Sequence, residues 1–199
     1  MPTKRIIIGI TGGIATGKTA VLQEMARHKI PTVSSDDLAH ACLKRGHPCY
    51  ARILRHFGLS IRGPGAQINR KRLGRIVFAN PKERKWLENQ IHPWVVRQLK
   101  AFIRKHRGLT VLDIPLLYEA HLEDLVDVCV VVWCPQRIQI ARLRQRDGLS
   151  RPAALQRIRA QLPLTVKRKR ADYVISNNQG ITKLRRRVIR LLAQFLEKA

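Results

Sequence analysis

The segment RIIIGITGGIATGKT, residues 5–19, narrows the folds open to this chain more than any other. Residues 5–10 form a short β-branched run and read as a buried strand. A glycine-rich turn follows, and residues 19–28 read as a helix. Between them, Gly12-Gly13-Ile14-Ala15-Thr16-Gly17-Lys18-Thr19 fits G-x-x-x-x-G-K-[ST] at every fixed position. The glycines let the backbone curl so that successive N–H groups point inward at phosphate oxygens. The positive end of the following helix adds to the attraction. Lys18 reaches the β- and γ-phosphates, and the Thr19 hydroxyl is placed to ligate Mg²⁺. The candidate ATP cradle is therefore Gly13, Ile14, Ala15, Thr16, Gly17, Lys18, Thr19 and Ala20.

The rest of the chain alternates. Further strands are expected at 30–34, 109–114, 126–133 and 171–176. Helices are expected at 36–45, 51–57, from Pro135 to 147, from near Pro152 to 161, and at 181–198. Residues 58–69 read as a loop. Residues 70–107 read as mostly helical, interrupted at Pro81 and Pro93. This order predicts an α/β protein, a three-layer doubly wound parallel sheet with helices on both faces. The helical block 37–107 interrupts the alternation and reads as an insertion within a single 199-residue domain.

In doubly wound sheets the ligand sits at the carboxyl ends of the strands. Asp36 and Asp37 follow the second expected strand, and Asp113 ends the third. A carboxylate there can take a proton from an attacking hydroxyl or hold Mg²⁺. Asp36 serves equally well as the N-cap of the helix that follows, as does Ser35. Arg142, Arg144 and Arg146 end a helix and enter a loop rich in Gly, Ser and Pro. With Arg157 and Gln161 they read as a hinged lid, residues 142–165, that closes over a transferring phosphoryl group.

The composition bounds the partners. The formal charge of +26 favours polyanionic ligands and leaves nucleic-acid contact open without favouring it. The few aromatic residues form no stacking segment of the kind single-stranded nucleic acid needs. No apolar run approaches the length of a membrane span, and the N-terminus lacks a signal-peptide pattern. Cys42, Cys49, Cys129 and Cys134 form no CxxC pair, and free thiols fit a reducing cytoplasm. His40, Cys42, His47 and Cys49 match no zinc spacing, and Gly46 and Pro48 read as a loop. Oligomeric state has no signature in the sequence.

With these motifs in hand, the chain resembles the dephospho-CoA kinases nearly end to end. The resemblance rests on IGITGGIATGKT, TVSSDDLAH, HFG, NRKRLGRIVFANP, LENQIHP, LDIPLLYE, RLRQRDGLS with RIRAQ, and ADYVISNNQG. It implies transfer of the ATP γ-phosphoryl group to the ribose 3′-hydroxyl of dephospho-CoA, with Mg²⁺ as cofactor. It implies Asp36 as the acid that takes the acceptor proton, and Lys18, Arg142 and Arg146 as its catalytic companions. It puts Asn177 and Gly180 beside the adenine. It assigns the acceptor to Asp36, Arg70, His92, Pro115 and Leu116, within the helical insertion and the loop after Asp113. The metal ligands implied are Thr19 and, through a water, Asp113. Ser34 stands where the family has the first acid of Asp-x-Asp, Ala20 replaces a hydroxyl residue, and Pro64-Gly65 replaces Asp-Gly. The alternatives are another small-molecule kinase of this loop type, such as a nucleoside monophosphate kinase, and an ATP-dependent nucleic-acid-binding protein.

Overall fold

A computed structural model describes residues 5–197. The expected absence of a leader at Met1–Lys4 and the last turn of the C-terminal helix at Lys198 lie outside them. The chain divides into two compact units. One is built from the residues up to Ser34 and from Phe102 onward, and the other is Ser35–Ala101.

The first unit carries a five-stranded sheet in the order β2-β3-β1-β4-β5, with every neighbouring pair parallel. The strands are β1 (Ile6–Gly12), β2 (Thr32–Ser34), β3 (Leu109–Asp113), β4 (Val128–Trp133) and β5 (Tyr173–Ser176). Central strands buried on both faces need continuous apolar runs, which IIIGI, LTVL and VCVVV supply. The helices of this unit are α1 (Lys18–Arg27), α6 (Gln136–Asp147), α7 (Arg151–Arg159), α8 (Leu164–Arg170) and α9 (Ile181–Leu196). Ile6, Ile8, Ile10, Val111, Val130 and Val132 from the sheet form one core with Val21 and Met25 of α1 and with Leu184, Val188, Leu192 and Phe195 of α9. Each such side chain contributes about 1.5–3 kcal/mol when fully buried. Arg187 is a basic residue of α9 that turns partly inward. It is half-buried and donates to the Ser176 carbonyl and, at 2.7 Å, to Gln179 Oε1.

The second unit contains α2 (Ser35–Ala41), α3 (Pro48–Phe57), α4 (Arg70–Ala79) and most of α5 (Pro81–Lys105). Two short 3₁₀ turns, Leu59–Ile61 and Pro64–Ala66, fill the expected loop. Its core is Cys42, Cys49, Ile53, Ile61, Ile68 and Leu73, with Trp86, Ile91 and Trp94 against it.

Two expectations need correction. Pro93 does not interrupt the helix; α5 runs through it. Proline removes one backbone donor, but Ile91 and Trp94 pack on the core on either side, and the Cys49 thiol donates to the Gln90 carbonyl at 3.4 Å. Pro48 is not loop but the first residue of α3, its favoured position. Residues 164–170 form one further helix, α8, after the region read as a lid. Among the described residues no helix is long and apolar enough to cross a membrane.

Cys42, His47 and Cys49 do come together, with their ligand atoms within 4.8 Å of one another. His47 already has a structural task there. Its Nδ1 accepts from the Cys49 N–H at 3.1 Å and caps α3. A neutral imidazole with Nδ1 accepting carries its proton on Nε2, so neither nitrogen offers a lone pair without losing the cap. Burial, with Cys49 alongside, pushes the Cys42 thiol up to about 12. The cluster is a thiol held protonated at Cys42, with Cys49 donating to the Gln90 carbonyl, beside a capping histidine.

Candidate active site

The turn between β1 and α1 is a cradle whose carbonyls face outward, each met by a donor. The Gly13 carbonyl accepts from Thr16 Oγ1 at 2.8 Å and from the Thr16 N–H at 3.2 Å. The Ile14 carbonyl accepts from Gln139 Nε2 at 2.7 Å. Arg142 donates through Nη1 to the Ala15 carbonyl at 3.1 Å and the Thr16 carbonyl at 3.0 Å. Asn177 Nδ2 donates to that Thr16 carbonyl at 2.8 Å, and the Asn177 carbonyl accepts from Arg142 Nη2 at 3.1 Å. These bonds fix the curve of the loop in one conformation.

Two glycines are required by this geometry. Gly17 has φ +90°, and a Cβ there would stand 2.0 Å from Asn177 Nδ2. A Cβ on Gly12 would meet the Val132 carbonyl at 2.8 Å. Gly17→Ala is therefore expected to destabilise the fold by about 1–3 kcal/mol through left-handed strain alone. It also breaks the Asn177 contact, so nucleotide affinity falls with Tm. Thermal unfolding and a nucleotide titration check this, and wild-type values in both would mean that Asn177 does not lock the loop.

Lys18 opens α1 and pairs with Asp113 at the carboxyl end of β3. Both side chains are mostly enclosed, at 17% and 10% exposed. Thr19 is exposed on the same first turn. Ser34 is the register partner of Asp113 across β2 and β3. Thr19 and Asp113 are hard oxygen donors of the kind Mg²⁺ takes.

The lid arginines divide. Arg142, expected over the transferring phosphoryl group, is instead spent on three backbone carbonyls behind the cradle. Arg146 is exposed and forks onto Asp147 at 2.7 and 3.0 Å, and Arg157 reaches the same carboxylate at 3.0 Å. The Arg146 bond is the main cause that holds Asp147 below the usual carboxylate range. Gln161, at the end of this region, accepts from the Ile14 N–H at 2.7 Å.

The Asn177 side chain is buried after β5, and Gly180 precedes α9 with φ +85°. The Pro115 carbonyl accepts from Thr11 Oγ1 at 2.9 Å, and Leu116 is exposed. The remaining candidates lie in the second unit. Asp36 and Asp37 occupy the first turn of α2, which begins one residue earlier at Ser35, so Asp36 is not its cap. Both are exposed, as are Arg70 and His92. Burial holds the His40 imidazole below its usual value and Arg70 adds to this, while Asp36 and Asp37 oppose it. These four groups therefore share one electrostatic neighbourhood.

Sequence reasoning missed Gln139, Thr11 and Lys167. Each is a polar residue inside an apolar or basic stretch, a pattern that burial alone explains.

A family model described as dephospho-CoA kinase matches residues 6–183. A dephospho-CoA kinase of Thermosynechococcus vestitus is 47% identical over 183 residues, covering 91% of this chain and 90% of that protein. A crystal structure of a Thermus thermophilus protein superposes with a TM-score of 0.81 at 33% identity, covering 96% of this chain and 98% of that one. Dephospho-CoA kinase from Campylobacter jejuni gives a TM-score of 0.72 at 27% identity, with 96% and 97% covered.

Proposed function

The chain belongs to the dephospho-CoA kinase family, and from that premise we propose how its residues divide the work. It transfers the γ-phosphoryl group of ATP to the ribose 3′-hydroxyl of dephospho-CoA and releases ADP and coenzyme A. The protein does little covalent chemistry in such a transfer; it positions and neutralises.

The β- and γ-phosphates bind in the cradle formed by Gly13 to Ala20. Lys18 exchanges Asp113 for phosphate oxygens. Thr19, and Asp113 through a water, would hold Mg²⁺, which would supply neutralisation of the charge on the transferring phosphates. Asp36 accepts or orients the proton of the 3′-hydroxyl. Arg146 and Arg157 leave Asp147 and close over the equatorial oxygens, where charge spreads in the transition state. Arg142 acts through the loop it holds and is a positioning residue. Asn177 and Gly180 flank the adenine. Arg70 and His92, with Pro115 and Leu116, receive dephospho-CoA. We assign the enzyme to the cytoplasm.

The observation that supports this most is the Lys18–Asp113 pair at the mouth of a fully braced cradle. The test is product mass after incubation with MgATP and a mixture of dephospho-CoA, nucleoside monophosphates and shikimate. Phosphorylation of dephospho-CoA alone is expected. Transfer to a nucleoside monophosphate, or to no acceptor, sinks the assignment.

A further inference from the structure

Lys167 heads the largest wholly buried side chains of the described residues, at 0% exposed. It lies in the run Lys167-Arg168-Lys169-Arg170, whose other three members are exposed. An ammonium is expensive to bury unless it is paired and hydrogen-bonded. Lys167 Nζ is both: it pairs with Glu119 Oε1 at 2.8 Å and donates to the Pro115 carbonyl at 3.0 Å. A buried ion pair seldom stabilises more than an apolar side chain of the same volume. Stability therefore does not explain why a cation fills this space.

Its partners lie on two functional segments. Pro115 is two residues past Asp113, which holds Lys18, and its carbonyl also takes the Thr11 hydroxyl from the end of β1. Glu119 Oε1 also accepts from the Leu162 N–H at 3.1 Å, at the foot of the lid. The neighbouring Gln161 holds the Ile14 N–H of the cradle. One buried cation thus joins the foot of the lid to the loop that carries the partner of the catalytic lysine.

We propose that Lys167, with Glu119, is a positioning residue for phosphoryl transfer that fixes the lid's foot to the Asp113–Pro115 segment. The proposal rests on reading residues 142–165 as the lid. Closing arginines act on a transition state only from a defined pivot, and small misplacements there are costly in rate. Lys167 makes that pivot and touches no substrate.

The test uses the full chain with Lys167→Met, Lys167→Arg and the pair Lys167→Met/Glu119→Gln. Steady-state kinetics, Tm and ADP-dependent hydrogen exchange are measured for each. Lys167→Met is expected to lower kcat at least about tenfold while the KM for dephospho-CoA changes less than about threefold. Lys167→Arg restores most of the rate. The paired variant recovers Tm, because no unpaired carboxylate remains in the half-buried Glu119 position, but its kcat stays low. Recovery of kcat together with Tm in the paired variant would make Lys167 purely structural and overturn the proposal. Hydrogen exchange reads the coupling without turnover. ADP is expected to slow exchange around residues 113–116 and 158–165 together in the wild type and not in Lys167→Met. Equal slowing in both proteins also overturns the proposal. A wild-type protein inactive on dephospho-CoA overturns the functional assignment instead, and the exchange data still decide the coupling.

Discussion

Lys18→Met is expected to lose phosphoryl transfer by about 10²–10³-fold, the scale set by removing one preorganised donor from a developing oxyanion. Nucleotide affinity falls as well, because the ammonium meets the β- and γ-phosphates in the ground state too. A second effect follows from the resting geometry. Lys18 is the partner of a carboxylate only 10% exposed. Removing one member of an enclosed pair leaves an uncompensated charge, which costs about 3–5 kcal/mol where burial is complete and less at this exposure. The single variant is therefore both inactive and less stable. Adding Asp113→Asn separates the two effects, since the orphaned charge disappears. Tm is expected to recover in the double variant while turnover stays lost. A single variant with wild-type kinetics would remove Lys18 from the chemistry. A double variant with restored kinetics would show that the first loss was only unfolding.

Asp36→Asn tests the acid in the second unit. General-base assistance is worth about 10²–10⁴-fold, and a decline of that size in kcat is expected with ATP affinity nearly unchanged. The competing account has a much smaller ceiling. Asp36 lies in the first turn of α2, where a carboxylate favours the helix dipole. That contribution is about 0.3–1 kcal/mol and concerns stability, not rate. The two accounts thus differ in both magnitude and observable. Stopped assays of ADP release, run beside a nucleotide titration, separate them. Near-normal turnover with a slightly lower Tm would reduce Asp36 to a helix-terminal residue.

Much of this was legible in the sequence because each signal had a single physical cause. The fixed positions of the cradle need glycine for space, lysine for charge and threonine for a hydroxyl, and the structure shows the reason for Gly12, Gly17 and Lys18. The three central strands were legible because parallel strands buried on both faces leave uninterrupted apolar runs. Boundaries were less so. Strand β2 has only three residues, Thr32–Ser34, because only these pair with β3. Pro93 was misread since a proline's cost is local, while the packing that overrides it comes from residues far along the chain. Arg142 and Lys167 were hidden for the opposite reason. Both sit among other basic residues, and nothing in a row of charges tells which one turns inward. What turns Arg142 inward is a set of loop carbonyls more than a hundred positions away. Side-chain direction at such sites is a tertiary property.

The bracing of the cradle also orders the protein's birth. The phosphate loop leaves the ribosome before the residues that brace it, and its Thr16 carbonyl awaits Asn177, 161 positions later. Its Ala15 carbonyl awaits Arg142, 127 positions later. β1 is flanked by β3 and β4, neither of which exists until Leu109 and Val128 have been made. At about 5–20 residues per second, the glycine turn spends many seconds as an unformed loop. Contacts of such long sequence separation make folding slow. The nascent chain therefore has no nucleotide site to offer until β5 and the turn after it are in place, and ATP can reward only the finished molecule.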